Sequence, residues 1–143
     1  MKQRPLGRTN LSVSEIAFGG VEIGMPYGIG VHTPADMPSD ADSVHLLHLA
    51  LELGITFFDT ARAYGRSEEI MGRAFKDRRE QVILCSKCSL PGSTDSGCVK
   101  AGASAAIRRS LQESLAALRT DYIDVLMLHN ADLVTLSLES VSE

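Results

Sequence analysis

Tryptophan is absent from the 143 residues, and aromatic side chains make up only 5% of them. That leaves few flat faces on which nucleic-acid bases could stack. Clustered positive charge is missing as well: fourteen Lys and Arg are outnumbered by eighteen Asp and Glu, for a formal charge of −4, and no basic run occurs. Without a basic stripe to neutralise phosphates, nucleic acid is not an expected partner. No stretch approaches the ~20 apolar residues that a membrane-crossing helix needs. The opening MKQRPLGRTN also lacks the apolar core of a secretory signal. A cytoplasmic location with no membrane partner is therefore expected. Cysteine is scarce too: three, an odd number, which in a cytosolic chain reads as thiols and not as a disulfide framework.

What is present is an ordinary globular composition, 44% hydrophobic and 22% charged, sized for a single domain over residues 1–143. Ser12 to Phe18 alternates like a short strand that ends in Gly19 and Gly20, two glycines that would let another group approach the backbone closely. The stretch VEIGMPYGIGVHTPADMPSD is dense in glycine and proline and reads as a long loop. Ser39, with Asp42 three residues on, predicts the cap of a helix running to about Leu53, which Gly54 closes. Short apolar runs at Ile55 to Phe58, 81–87 and 121–129 read as buried strands. Between them come a helix from Ser67 to about Lys76 and another marked by Ile107, Leu111, Leu115 and Leu118. Strands that are apolar throughout, alternating with helices, indicate a parallel α/β sheet of about four βα units, preceded by a short N-terminal strand or hairpin. Residues 133–143 show no clean helical stripe.

Three of these strands end in a polar residue: Asp59, Lys87 and His129. Alternation along a strand puts Asp59 on the face of Phe57, Lys87 on that of Cys85, and His129 on that of Met127. In a parallel sheet all strand C-termini share one rim, where the reaction sites of α/β folds lie. Tyr64 follows Asp59 by five residues and can hang over the same rim. A cationic lysine beside a phenol favours the phenolate, a carboxylate can hold that lysine, and a histidine can hydrogen-bond a carbonyl oxygen. Such a set suits reduction of a carbonyl or oxidation of an alcohol, provided a hydride carrier is present.

RPLGRTNLSVSEIAFGG, GITFFDTARAYGRSEEIMGRAF, VILCSK and SLAALRTDYIDVLMLHNAD together resemble, in order and spacing, the N-terminal half of the aldo-keto reductases, from about Arg4 to Asp132. The resemblance implies half of a (β/α)8 TIM barrel, an NADP(H) cofactor and a small-molecule carbonyl substrate. It implies Tyr64 as general acid, Lys87 and His129 tuning it, and Asp59 pairing with Lys87. It further implies Gly20, Val21 and Asp59 near the cofactor and Asn130 near the substrate. Ala131 replaces a proline frequent in the family, and Arg119 replaces a glycine frequent at a helix end. The chain is expected to be a truncated barrel domain, since the full fold usually has ~250 residues.

Simpler roles compete for several residues. His45, His48 and Glu52 share a helical face in the manner of a metal site, but they sit away from the strand ends, and no metal is expected. Cys85 and Cys88 point to opposite faces of a strand, which suits structural thiols, while Cys98 reads as a loop thiol. Arg109 and Glu113 read as an exposed helix pair. At the level of the whole chain, the alternative to a reductase is a catalytically incompetent half-barrel that mainly self-associates. Its inner face of Ile55, Phe57, Ile83, Val125 and Met127 and its open sheet edges would be uncovered, and two copies could close a barrel as a homodimer.

Overall fold

The computed structural model describes residues 1–89 and 96–129, the first eight residues of the second segment by their backbone alone. The chain opens with an antiparallel hairpin, β1 (Gln3–Pro5) and β2 (Ser12–Ser14). Gly7 and Asn10 turn it, both at positive φ, 55° and 62°. The single strand expected from Ser12 to Phe18 is thus two. Ser14 Oγ donates to the Ile16 carbonyl at 2.6 Å, the chain bends, and β3 (Ala17–Gly19) joins a different sheet. Ser14 and Thr56 then tie the hairpin to that sheet reciprocally: Ser14 N–H donates to Thr56 Oγ1 at 3.0 Å, and Thr56 N–H to Ser14 Oγ at 2.9 Å. Side-chain oxygens there satisfy backbone donors that have left the ladder.

The second sheet is parallel throughout and follows chain order: β3, β4 (Phe57–Asp59), β5 (Ile83–Cys88) and β6 (Val125–Leu128). The connections carry α1 (Val21–Gly24), α2 (Asp40–Glu52), α3 (Ser67–Phe75) and α4 (Ser96–Leu118). Sequential parallel strands with helical crossovers are the repeating unit of a (β/α)8 barrel, and four strands in chain order match the half-barrel expected from the sequence. The stretch expected to be a plain loop contains α1, a single turn, and a 3₁₀ turn at Pro34–Asp36 that Thr33 and Asp36 box in. Ser39 caps α2 as its sequence predicts, its Oγ accepting from Asp42 N–H at 3.2 Å, and Gly54 follows at φ 91°. Because α4 starts at Ser96, Cys98 belongs to helix and not to the expected loop.

Phe58 and Leu84, fully buried, face the helices and meet Leu47, Ile70, Phe75 and Leu118. The Phe58 and Phe75 rings pack at a tilt of 57° with centroids 4.6 Å apart. Each such side chain stabilises the fold by about 1.5–3 kcal/mol relative to exposure. Ile55, expected on the inner face, lies before β4 and packs against this core instead. On the opposite face Phe57, Ile83 and Val125 are half-buried, so only Met127, 40% exposed, matches the uncovered inner face that was expected. Helix α4 touches α3 through small residues: a Cβ on Gly72 would lie 2.4 Å from the Ala117 carbonyl oxygen. That close approach buries Ala106 and Ser114 along with Leu118, and the expected stripe residues Ile107, Leu111 and Leu115 splay to its sides, half-buried. Strand β6 starts later than its apolar run suggests because Asp124 Oδ2 takes the Leu84 N–H at 2.8 Å and Arg79 Nη2 at 2.7 Å.

Candidate active site

Lys87 lies near the C-terminal end of β5, and all three of its ammonium protons have acceptors. They go to Asp59 Oδ2 at 2.6 Å, the Thr60 carbonyl at 3.1 Å and Tyr64 Oη at 3.3 Å. The register of β4 on β5 brings this about: Asp59 pairs with Cys85, so Lys87 stands one pleat further along the same face. The Lys87 side chain is 12% exposed and that of Asp59 27%. Burial by itself pushes the Lys87 ammonium down. Its bonds to Asp59 and Tyr64 outweigh that effect and hold it above the ordinary lysine value.

Tyr64 belongs to the tight segment between β4 and α3. Its N–H bonds the Ala61 carbonyl at 3.0 Å, and its own carbonyl accepts from Ser67 N–H at 3.0 Å. Gly65, at φ 54°, makes the turn, and a Cβ there would lie 2.3 Å from the Gly24 carbonyl oxygen. The loop after β3 is therefore pressed directly onto the segment that carries the phenol. His129 follows β6, anchored by its N–H on the Cys88 carbonyl at 2.8 Å, and its ring meets the Tyr64 ring edge-on with centroids 5.3 Å apart. Three strand ends and one loop thus bring Asp59, Tyr64, Lys87 and His129 together.

The two glycines at the end of β3 divide their work. At Gly20 the close neighbour is the protein itself: a Cβ would run into Met71 Cε at 2.5 Å, Ser67 Oγ at 2.6 Å and the Asp59 carbonyl at 2.9 Å. Gly19, paired with Asp59, has nothing within 4 Å of the same position, so open space lies there. Val21 starts α1 next to it and is half-buried. Asn130, expected beside the substrate, lies outside the described residues, as do residues 133–143.

The remaining candidates resolve into packing. His48 Nε2 lies 2.7 Å from the Ala74 carbonyl, a bond between α2 and α3 that the ring makes as donor. Among the described residues no group of three or more His, Cys, Asp or Glu is arranged to hold a metal. Cys85 and Cys88 are free and buried. Burial, reinforced by the neighbouring Asp59 carboxylate, pushes the Cys85 thiol up to about 12, and burial also raises Cys88, so neither is a nucleophile near neutrality. Glu113, expected to pair with Arg109, instead has its carboxylate 3.7 Å from Arg62 Nε. A cleft of about 490 Å³ lined by Ile23, Met25, Met37, Asp40, Arg66 and Ile70 contains none of the four site residues. Its polar end is a satisfied pair, Arg66 Nη2 to Asp40 Oδ2 at 2.7 Å. Sequence reading missed Glu68, whose carboxylate is 1% exposed just behind the site. Its only signal was a second acid in the run SEE, which reads like any helix start.

A family model described as the aldo/keto reductase family matches residues 15–143. An uncharacterized oxidoreductase of Bacillus subtilis, YqkF, is 34% identical over 132 residues, covering 90% of this chain and 39% of that protein. The crystal structure of a putative aldo-keto reductase from Pseudomonas aeruginosa superposes with a TM-score of 0.79 at 35% identity, over 98% of this chain and 53% of that one. An aldo-keto reductase from Klebsiella pneumoniae, solved in complex with NADPH, gives a TM-score of 0.64 at 28% identity, over 92% of this chain and 41% of that one. The chain therefore spans about half or less of the length of the relatives it matches. Among the described residues no helix is long and apolar enough to cross a membrane.

Proposed function

The chain belongs to the aldo/keto reductase family, and on that premise we propose that it is an NADP(H)-dependent oxidoreductase interconverting small aldehydes or ketones with alcohols, Tyr64 serving as general acid. The observation that carries this reading is the direction of one hydrogen bond. An ammonium has no acceptor site, so in the Lys87–Tyr64 contact the phenolic oxygen must accept. The Tyr64 proton is then left for an oxygen in front of the ring. In the reducing direction Tyr64 gives that proton to the carbonyl oxygen of the substrate. Lys87 stabilises the phenolate left behind, and Asp59 keeps Lys87 in register. His129, edge-on to Tyr64, is within reach of the same oxygen as a second hydrogen-bond partner.

The residues present suit the nicotinamide end of the cofactor. Gly19 leaves open space beside Asp59 and the Lys87–Tyr64 pair, and Gly20 and Val21 continue the backbone next to it. Bound there, the dinucleotide supplies the hydride that the four side chains cannot. The NADPH complex of the Klebsiella pneumoniae relative supports the choice of cofactor, and the two free thiols are compatible with a cytoplasmic setting.

NADPH oxidation with an aromatic aldehyde, alongside a fluorescence titration of NADPH, tests this directly. Tyr64→Phe removes the transferable proton, so turnover should fall on the order of 10²- to 10⁴-fold with NADPH affinity unchanged. Failure of the wild-type chain to bind NADPH at millimolar concentration rejects the reading. A second reading, self-association, is supported by the edges of the molecule. Among the described residues β3 and β6 are each paired on one side only, and Leu46 and Leu49 of α2 and Leu53 just after it are 43%, 42% and 65% exposed. A homodimer that closes the barrel would cover both kinds of surface, and a stable, well-dispersed monomer in size exclusion at micromolar concentration rules it out.

A further inference from the structure

Glu68 takes no part in the proton transfer derived above, yet it is a carboxylate only 1% exposed in the first turn of α3. Its two oxygens are divided. Oε1 accepts from Ser86 Oγ at 2.7 Å, while Oε2 pairs with the Arg62 guanidinium. Ser86 is the neighbour of Lys87 on β5 and points to the opposite face of the sheet. Arg62 lies two residues before Tyr64, and its N–H donates to the Lys87 carbonyl at 3.3 Å. One buried carboxylate therefore grips both the strand residue beside the lysine and the loop residue just ahead of the phenol. Beside it Thr60 Oγ1 donates to Ser67 Oγ at 2.8 Å, a second buried tie between β4 and α3. An ion pair whose carboxylate is buried, here against an Arg62 side chain that is 33% exposed, is a poor source of net stability, because well-packed apolar side chains of similar volume often do as well or better. What such a pair does supply is direction, fixed by the donors and acceptors that must meet.

We propose that Glu68 is a positioning residue: acting through Arg62 and Ser86, it sets the placement of Tyr64 relative to Lys87 and His129. Its consequence for turnover rests on the reading of Tyr64 as proton donor; the positional claim stands apart from it. The full chain is compared with Glu68→Gln, which removes the charge but keeps the shape, and with the triple variant Arg62→Met/Glu68→Leu/Ser86→Ala, which replaces the pair by apolar side chains and leaves no buried hydroxyl without its acceptor. Circular dichroism and urea midpoints report folding, and the triple variant is the one expected to keep its midpoint. The positional readout is the nuclear Overhauser effect between the Tyr64 and His129 rings, together with the ring-current shift of His129. Both should be lost or cut several-fold in the folded variants. Where the wild type turns over NADPH, kcat should fall on the order of 10- to 100-fold with the NADPH Kd unchanged. An undiminished Tyr64–His129 contact in a folded variant overturns the proposal. So does unfolding of both variants, which would make the network a plain element of stability. A wild-type chain without turnover would count against the proton-donor reading alone, and the ring contact would still decide the role of Glu68.

Discussion

Arg119 ends α4 at φ 55°, in the left-handed region, where a glycine would be unstrained. The hydrogen bonds require that conformation: Arg119 N–H reaches the Ala116 carbonyl at 3.3 Å, and Thr120 N–H reaches back to Leu115 at 3.2 Å, the pairing that closes a helix through a left-handed residue. A Cβ in this region costs about 1–2 kcal/mol. A glycine returns part of the gain, about 0.5–1 kcal/mol, through its greater freedom in the unfolded chain. The arginine side chain is exposed, so its removal gives up little packing. Arg119→Gly should therefore stabilise the fold by roughly 0.5–1 kcal/mol, which for a chain of this size raises Tm by about 2–4 °C. Paired thermal and urea melts of wild type, Arg119→Gly and Arg119→Ala separate the causes. Alanine keeps the Cβ and the strain, so it should gain almost nothing. An alanine gain equal to that of glycine would place the effect in the lost side chain and refute the backbone argument.

Two further perturbations probe the packing and the site. Gly72→Ala drives a methyl to within 2.4 Å of the Ala117 carbonyl and 2.7 Å of the Leu118 carbonyl carbon, both backbone atoms of α4. The helices must separate, and urea denaturation should show a loss of about 1–3 kcal/mol; an unchanged midpoint would mean that α3 and α4 are not in contact there. The second perturbation is pH. Lys87 is held above its ordinary value of 10.5, so the folded state binds this proton more tightly than the unfolded state. The resulting stability is complete below pH 10.5 and is lost as pH rises through the higher folded value. The stability advantage of wild type over Lys87→Met should stay level through neutral pH and shrink only above about pH 10.5. An advantage that shrinks on the acid side instead would assign it to a different group.

Legibility in the sequence followed how local the cause was. The α2 cap could be read because Ser39 and Asp42 are three residues apart and bond to each other without outside help. The faces of Asp59 and Lys87 could be read because alternation alone sets them, although β5 runs one residue past Lys87, to Cys88. Their meeting needed the register of β4 on β5, which the even run of apolar residues leaves open. The division of Ser12–Phe18 into β2 and β3 was hidden because it depends on Ser14 reaching Thr56, forty-two positions away. The late start of β6 was hidden for the same reason: Asp124 looks like one polar residue inside a strand until Arg79 and Leu84 N–H are seen to claim it. Gly20 shows the limit from the other side. A glycine at a strand end signals close approach, but only the packing of Met71 and Ser67 says that the approaching group is α3.

The ten residues from Asp59 to Glu68 serve both faces of the sheet at once. Asp59 and Tyr64 lie on the reaction side with Lys87, while Thr60, Ser67 and Glu68 are bonded behind it with Ser86 and Arg62. Neighbouring strand residues point to opposite faces, so each reactive side chain on β4 and β5 is flanked in sequence by a residue anchored to a helix. Movement of α3 therefore shifts the bonds made by Ser86 and Arg62, and through them Lys87 and Tyr64. The contact from Lys87 Nζ to Tyr64 Oη, at 3.3 Å, is already at the long end for a hydrogen bond, and a shift of a few tenths of an ångström would break it. The tightness of α3 against Gly20, Gly24 and α4 is on this account a condition for the proton-donor geometry as well as a feature of the fold.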